Sequence, residues 1–279
     1  MAKIALLCDS SADITKEEAK ELDIHVLRMP IIIDGKEYVE EETIFDDEII
    51  KALKEEKQVK TAQPIIGDIC AMWDSLLKEY DEVFYIPLSR ELSGTCALAI
   101  HMAKEYNGRV VVVDSTLVCY PVVHVLKIAR DMFDKGYSSS QVKEKIEQEC
   151  DLYAILIPET LTALKNGGRI SPAAAALAGL LKIQPLLKVE QGAIDVVDKV
   201  RTLKKAYKQG IEVVMDGIDP LEYDWMIIDA NNREVSNELK MMLEESLHLP
   251  VEQHSFKAVI MSHTGPGTIG FGRIKKMKY

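Results

Sequence analysis

Three short runs constrain this chain most: "KIALLC" (3–8), "EVFYIPL" (82–88) and "RVVVVD" (109–114) are apolar on both faces. A strand with one wet face alternates polar and apolar residues. A strand apolar throughout is covered on both sides, and such strands belong to parallel sheets wrapped by helices. Helical patterns occupy the intervals, at 15–22, 45–55, 65–79, 94–106 and 118–135. In the fourth, Ala99, Met102, Ala103 and Tyr106 share one face. The stretch "IIIDGKEYV" (31–39) places Asp-Gly between extended flanks, which predicts a type I′ hairpin.

The pattern changes near residue 150. "LYAILI" (152–157) reads as a strand ended by Pro158, and "LKVEQGAIDVV" (187–197) as a hairpin turning at Gln191-Gly192. Helical patterns follow at 200–213 and 234–247. Strands are expected at 224–230 and 255–262. The 279 residues therefore predict an α/β protein of two domains. The first, 1–151, carries a mostly parallel sheet flanked by helices. The second, 152–279, is mixed α/β with a hairpin.

Several function classes are disfavoured. The formal net charge of −11 repels phosphate backbones, so no nucleic-acid partner is expected. The small-and-apolar run 172–181 is short of the ~20 residues that span a bilayer, which leaves only transient membrane contact. An uninterrupted run of five apolar residues (4–8) before Asp9 is too short for a secretory signal core. The five cysteines are scattered, as in a reduced, cytoplasmic protein, and Cys8 is expected in the core. No zinc spacing, Rossmann fingerprint or P-loop is present, so no cofactor or metal is expected.

The polar turns are more informative. The three first-half strands run into Asp9-Ser10-Ser11, into Ser89 and Ser93-Gly94-Thr95, and into Asp114-Ser115-Thr116. In an open α/β sheet, ligands bind beyond the carboxyl ends of the strands. Ser, Thr and Asp also cap helices, and one residue can do both. Thr61 precedes a Gln-Pro helix start. Arg169 follows two glycines, and Lys199 and Arg201 flank a helix start. "SHTGPGTIGFG" (262–272) reads as a glycine-rich loop after a strand, with backbone N–H groups able to cradle an anion.

Ser93 and His263 offer a nucleophile and a base for a stand-alone esterase or acyltransferase. The G-x-S-x-G context of a nucleophile elbow is absent around Ser93.

The ordered set "CDSSADI" (8–14), "TAQP" (61–64), "LSRELSGT" (88–95), "VVDS" (112–115), "LKNGGRIS" (164–171), "KVRT" (199–202) and "HTGPGTIG" (263–270) resembles the DegV family of bacterial fatty-acid-binding proteins. The resemblance runs nearly end to end. It implies a two-domain fold with a long-chain fatty acid as bound ligand, its chain in an apolar tunnel and its carboxylate at the domain cleft. It further implies a lipid-binding subunit without its own catalysis. The partner it implies is a fatty acid kinase catalytic subunit, which would make the acyl phosphate for phospholipid synthesis.

By the same resemblance, Thr61, Ser93 and Gly94 match the carboxylate-holding positions. His263, Thr264 and Gly265 match the loop that closes on the head group. Ser10, Ser115, Arg169 and Arg201 match supporting or partner-facing positions, with Arg201 the better candidate for kinase docking. Two positions depart from the family pattern. Ala62 stands where Ser is frequent, and "TLVCYPVVH" (116–124) replaces a glycine-rich stretch, which implies a reshaped pocket.

Overall fold

The structure is a computed structural model that describes residues 2–178 and 183–279. The end of the apolar run 172–181 lies outside the described residues. The chain divides into two compact units. One comprises Met1–Phe45, Thr61–Cys150 and Tyr279, the other Asp46–Lys60 and Asp151–Lys278. The excursion 46–60 thus groups with the second half of the chain.

In the first unit, β1 (Ile4–Asp9) pairs in parallel with β2 (Ile24–Leu27) on one side and with a strand at Glu82–Ile86 on the other. The hairpin strands β3 (Pro30–Ile33) and β4 (Lys36–Val39) and the short β5 (Val59–Thr61) intervene in sequence, which makes Glu82–Ile86 β6. β7 (Val110–Val112) completes a parallel sheet of order β2-β1-β6-β7. The expected α/β class is observed. The chain runs from β1 outward to β2 and later resumes on the other side of β1, so the order reverses between β1 and β6. That reversal opens a crevice at the strands' carboxyl ends.

Helices cover the sheet. Trp73, from the helix Ile66–Leu76, is fully buried, with its ring edge-on to Tyr106 at 5.2 Å and to Tyr85 of β6 at 6.2 Å. Cys8 is fully buried, and none of the five cysteines is in a disulfide. The β3–β4 turn has Asp34 at φ 48° and Gly35 at φ 84°, the two left-handed residues that a type I′ turn requires.

Two elements of this unit go beyond the pattern reading. One is β2, a four-residue edge strand. The other is the helix Ser139–Glu149, started by a capping box in which Ser138 and Gln141 satisfy each other's backbone N–H groups.

The second unit is built on a six-stranded sheet. Its members are β8 (Leu152–Ile157), β9 (Gln184–Glu190), β10 (Ala193–Val200), β11 (Tyr223–Asp229), β12 (Val251–Ser255) and β13 (Ile269–Lys275), in the order β10-β9-β8-β13-β11-β12. The hairpin turns at Gln191-Gly192 as the sequence predicts. Among the described residues of this sheet, only β11 and β12 pair in parallel.

Two expectations are corrected here. The apolar run expected as a strand at 255–262 ends β12 at Ser255 and then forms a helix, Ala258–Thr264. Every residue from Ala258 to Ser262 is buried, so the run has no wet face to reveal its period.

The second half of the expected glycine loop is a strand, β13, in the middle of the sheet. A Cβ on Gly272 would stand 2.5 Å from the Ala154 Cα and Tyr153 O of β8. Gly272 is there for backbone approach, not for flexibility. Among the described residues, no helix is long and apolar enough to cross a membrane.

Candidate functional site

At the carboxyl edge of the first unit's sheet, three loops are joined in a ring. Asp9, at the end of β1, is the hub. Its Oδ1 accepts from the Ser11 N–H at 3.1 Å and from the Ser11 hydroxyl, and its Oδ2 accepts from the Leu88 N–H at 2.9 Å. Burial pushes the Asp9 carboxyl above its ordinary range, and these donors pull the other way. The loop after β6 is tied to the loop after β7 by Ser89 N–H donating to Leu117 O at 2.9 Å. Cys119 N–H donates to Ser11 O at 3.0 Å and closes the ring.

Ser10 and Ser115 are buried inside this ring. The Ser10 hydroxyl accepts from Met29 N–H at 2.9 Å and the Ser115 hydroxyl from Leu117 N–H at 3.2 Å, so both hold backbone in place. Ser93 is half-buried on the loop after β6. Its Oγ accepts from Thr95 N–H at 3.3 Å and lies 2.9 Å from Thr95 Oγ1. It both braces the start of the helix Thr95–Ala103 and presents a hydroxyl. Arg90 of the same loop pairs with Asp114 beyond β7. Asp114 sits beside the Cys96 thiol, which burial and this carboxylate push up to about 12.

Thr61 ends β5, half-buried. Ala62 N–H donates to Pro30 O at 3.0 Å and Pro64 is buried, which fixes the backbone on both sides of Gln63. The Gln63 amide lies against Gly94: a Cβ on Gly94 would be 2.5 Å from Gln63 Nε2. The loops bearing Thr61 and Ser93 are thus in contact. Gln63 stands inside the TAQP motif, where sequence alone assigns it no role.

In the second unit, His263 lies in the last turn of the helix Ala258–Thr264. Its ring rests on Gly167, where a Cβ would collide with Nδ1. Arg169 is exposed and donates to Gly167 O. Burial, and then the Arg169 charge, lower the His263 pKa to about 4, so the ring is neutral at pH 7.

Thr264 is buried and its hydroxyl donates to Ile260 O at 3.2 Å. Gly265 N–H donates to Met261 O and Gly267 N–H to Ala230 O, at 2.9 and 2.8 Å. These two N–H groups are committed within the unit, unlike the open cradle that the glycine pattern suggests. The structure brings Arg169 and His263 together. Arg201 is separate and exposed, between β10 and the Thr202 cap of the helix Leu203–Met215.

A cavity of about 410 Å³ opens beside β2, lined by Lys16, Lys20, Asp23, His25, Arg28 and Glu42 among others. None of the head-group candidates lines it, and charges of both signs do not suit an acyl chain. Among the described residues no group of His, Cys, Asp and Glu could hold a metal ion.

The DegV family profile matches residues 3–276. This chain belongs to the DegV family. The DegV domain-containing protein of Streptococcus pneumoniae is 32% identical over 278 residues, covering 98% of this chain and 99% of that one.

A solved DegV-family structure from Thermus thermophilus, described as fatty acid binding, is 28% identical. It covers 98% of this chain and 99% of its own, with a TM-score of 0.86. DegV of Bacillus subtilis, described as a fatty acid binding protein, is also 28% identical, covering 99% and 100%, with a TM-score of 0.85. This DegV-family chain thus matches, over nearly its whole length, relatives described as binding fatty acids, and its motif set falls within the matched region.

Proposed function

We propose that this protein binds a long-chain fatty acid in an apolar tunnel and presents the carboxylate to a partner kinase, itself performing no catalysis. The observation that carries the reading is the pair of contacting loops at the sheet's carboxyl edge, which bear the Thr61 and Ser93 hydroxyls on a braced backbone. A carboxylate removed from water needs such donors. Each buried CH₂ of the tail adds ~0.8 kcal/mol, so a long chain supplies most of the affinity. The fatty-acid binding described for relatives at 28% identity over the whole chain supports the choice of ligand.

His263 and Thr264 join the head-group set in this reading. A His with a pKa of about 4 is neutral and donates one N–H without attracting a proton at pH 7. The same low pKa makes it a weak general base, which disfavours the esterase alternative. Exposed Arg201 is assigned to kinase docking.

The test is to add palmitate to delipidated protein and then ATP with a fatty acid kinase catalytic subunit. Tight palmitate binding, and acyl phosphate only with both proteins, are expected. Ester hydrolysis by the pure protein would overturn the non-catalytic assignment.

A further inference from the structure

We infer that Gln63 is a third head-group donor in the first unit, beside the Thr61 and Ser93 hydroxyls. This rests on the fatty-acid reading above and names one more residue of that site.

The argument starts from Gly94. Its backbone lies at φ −71° and ψ −4°, right-handed helical values open to any residue. No turn geometry requires glycine there, and a serine or aspartate would cap the helix Thr95–Ala103 better. What requires it is the Gln63 side chain. A Cβ on Gly94 would stand 2.5 Å from Nε2 and 3.4 Å from both Cδ and Oε1. The Nε2 end of the amide therefore occupies the space that a Gly94 side chain would fill.

The backbone that carries Gln63 is fixed. Ala62 N–H is bonded to Pro30 O, and the following Pro64 is buried and restricts residue 63 to extended values. Residue 63 is otherwise exposed, and its amide makes no hydrogen bond among the described residues. An amide carries two N–H donors. Here they are held between the loop of Thr61 and the loop of Ser93, with no acceptor among the described residues. A carboxylate gripped by those two hydroxyls meets the Gln63 amide as its next donor. Gly94 serves the site by leaving room for it.

The test uses the delipidated full-length protein with two probes, palmitate and 1-hexadecanol, which share a chain length and differ in the charged head. A donor to the carboxylate contributes to the acid more than to the alcohol. Gln63→Leu keeps the side chain's size and removes the donors. It should weaken palmitate about tenfold, the effect of one hydrogen bond to a charged group, and hexadecanol less than about twofold. Gly94→Ala should displace the amide and give the same selective loss with Gln63 present. The melting temperature of Gln63→Leu should match the wild type.

Equal palmitate affinity in Gln63→Leu and wild type would overturn this role alone. Equal losses for acid and alcohol would also overturn it, by making Gln63 a packing residue. Wild-type protein that binds neither probe would overturn the fatty-acid reading and this role with it.

Discussion

The Asp9 carboxylate reaches from the end of β1 to the backbone N–H of Leu88, just beyond the end of β6, at 2.9 Å. The contact spans the place where the strand order reverses. It makes the floor of the crevice a hydrogen-bonded unit and fixes the origin of the loop that carries Ser93. Preorganised donors hold an anion without first ordering a loop.

Asp9→Ala should destabilise the protein by about 3 kcal/mol, because it leaves buried Ser11 and Leu88 donors without an acceptor. Asp9→Asn keeps one oxygen and should lose less. Urea unfolding checks both through the midpoint. If Asp9→Ala unfolds at the wild-type midpoint, the ring of loops is not held through this side chain.

Ser93→Ala should separate two roles. Loss of the bond from Thr95 N–H costs about 1 kcal/mol of stability. Palmitate affinity should fall about tenfold. Calorimetric unfolding and ligand titration on the same sample read the two effects. Unchanged palmitate affinity would remove Ser93 from the head-group set.

His263 gives a pH signature. Its pKa of about 4 in the folded chain lies below the ordinary 6.5, so the unfolded chain binds the proton more tightly. Stability from this group is complete above about pH 6.5 and declines as pH falls toward 4. The full decline is about 3 kcal/mol. His263→Gln should flatten that part of the stability profile. An identical slope in the variant between pH 6.5 and 4 would contradict the burial of a neutral ring.

The departure at 116–124 has a backbone consequence. Thr116 and Cys119 adopt φ of 57° and 63°, left-handed values that a glycine takes without strain. Thr116 is β-branched, which raises the cost. Thr116→Gly should therefore stabilise the protein by up to about 1 kcal/mol, against the usual effect of introducing glycine. A lower melting temperature in Thr116→Gly would show that the Thr116 side chain offsets its strained backbone.

The parallel core was legible because β1, β6 and β7 are apolar on both faces, a pattern with few other meanings. Edge strand β2 was not, since four residues with half-buried His25 at the rim carry little periodicity. The helix bearing His263 read as a strand because its first five residues are buried all round. β13 read as loop because Gly270 and Gly272, which let Phe256 and Ala154 approach, look like turn residues out of context.

At the candidate site, Thr61 and Ser93 were proposed from an ordered motif set, not from their own spacing, and the structure puts their loops in contact. Ser10 and Ser115 stood in the same motifs and proved to brace the backbone. Gln63 stood in the TAQP motif without a role, and the glycine at 94 that leaves room for it has a meaning that depends on a dihedral angle sequence does not show.

The central claim is that this chain carries a fatty acid, and native mass spectrometry of the purified protein tests it most directly. The account predicts a one-to-one complex whose added mass equals a long-chain fatty acid, lost on delipidation and restored by palmitate. A protein that shows only its bare mass, before and after palmitate, would contradict it.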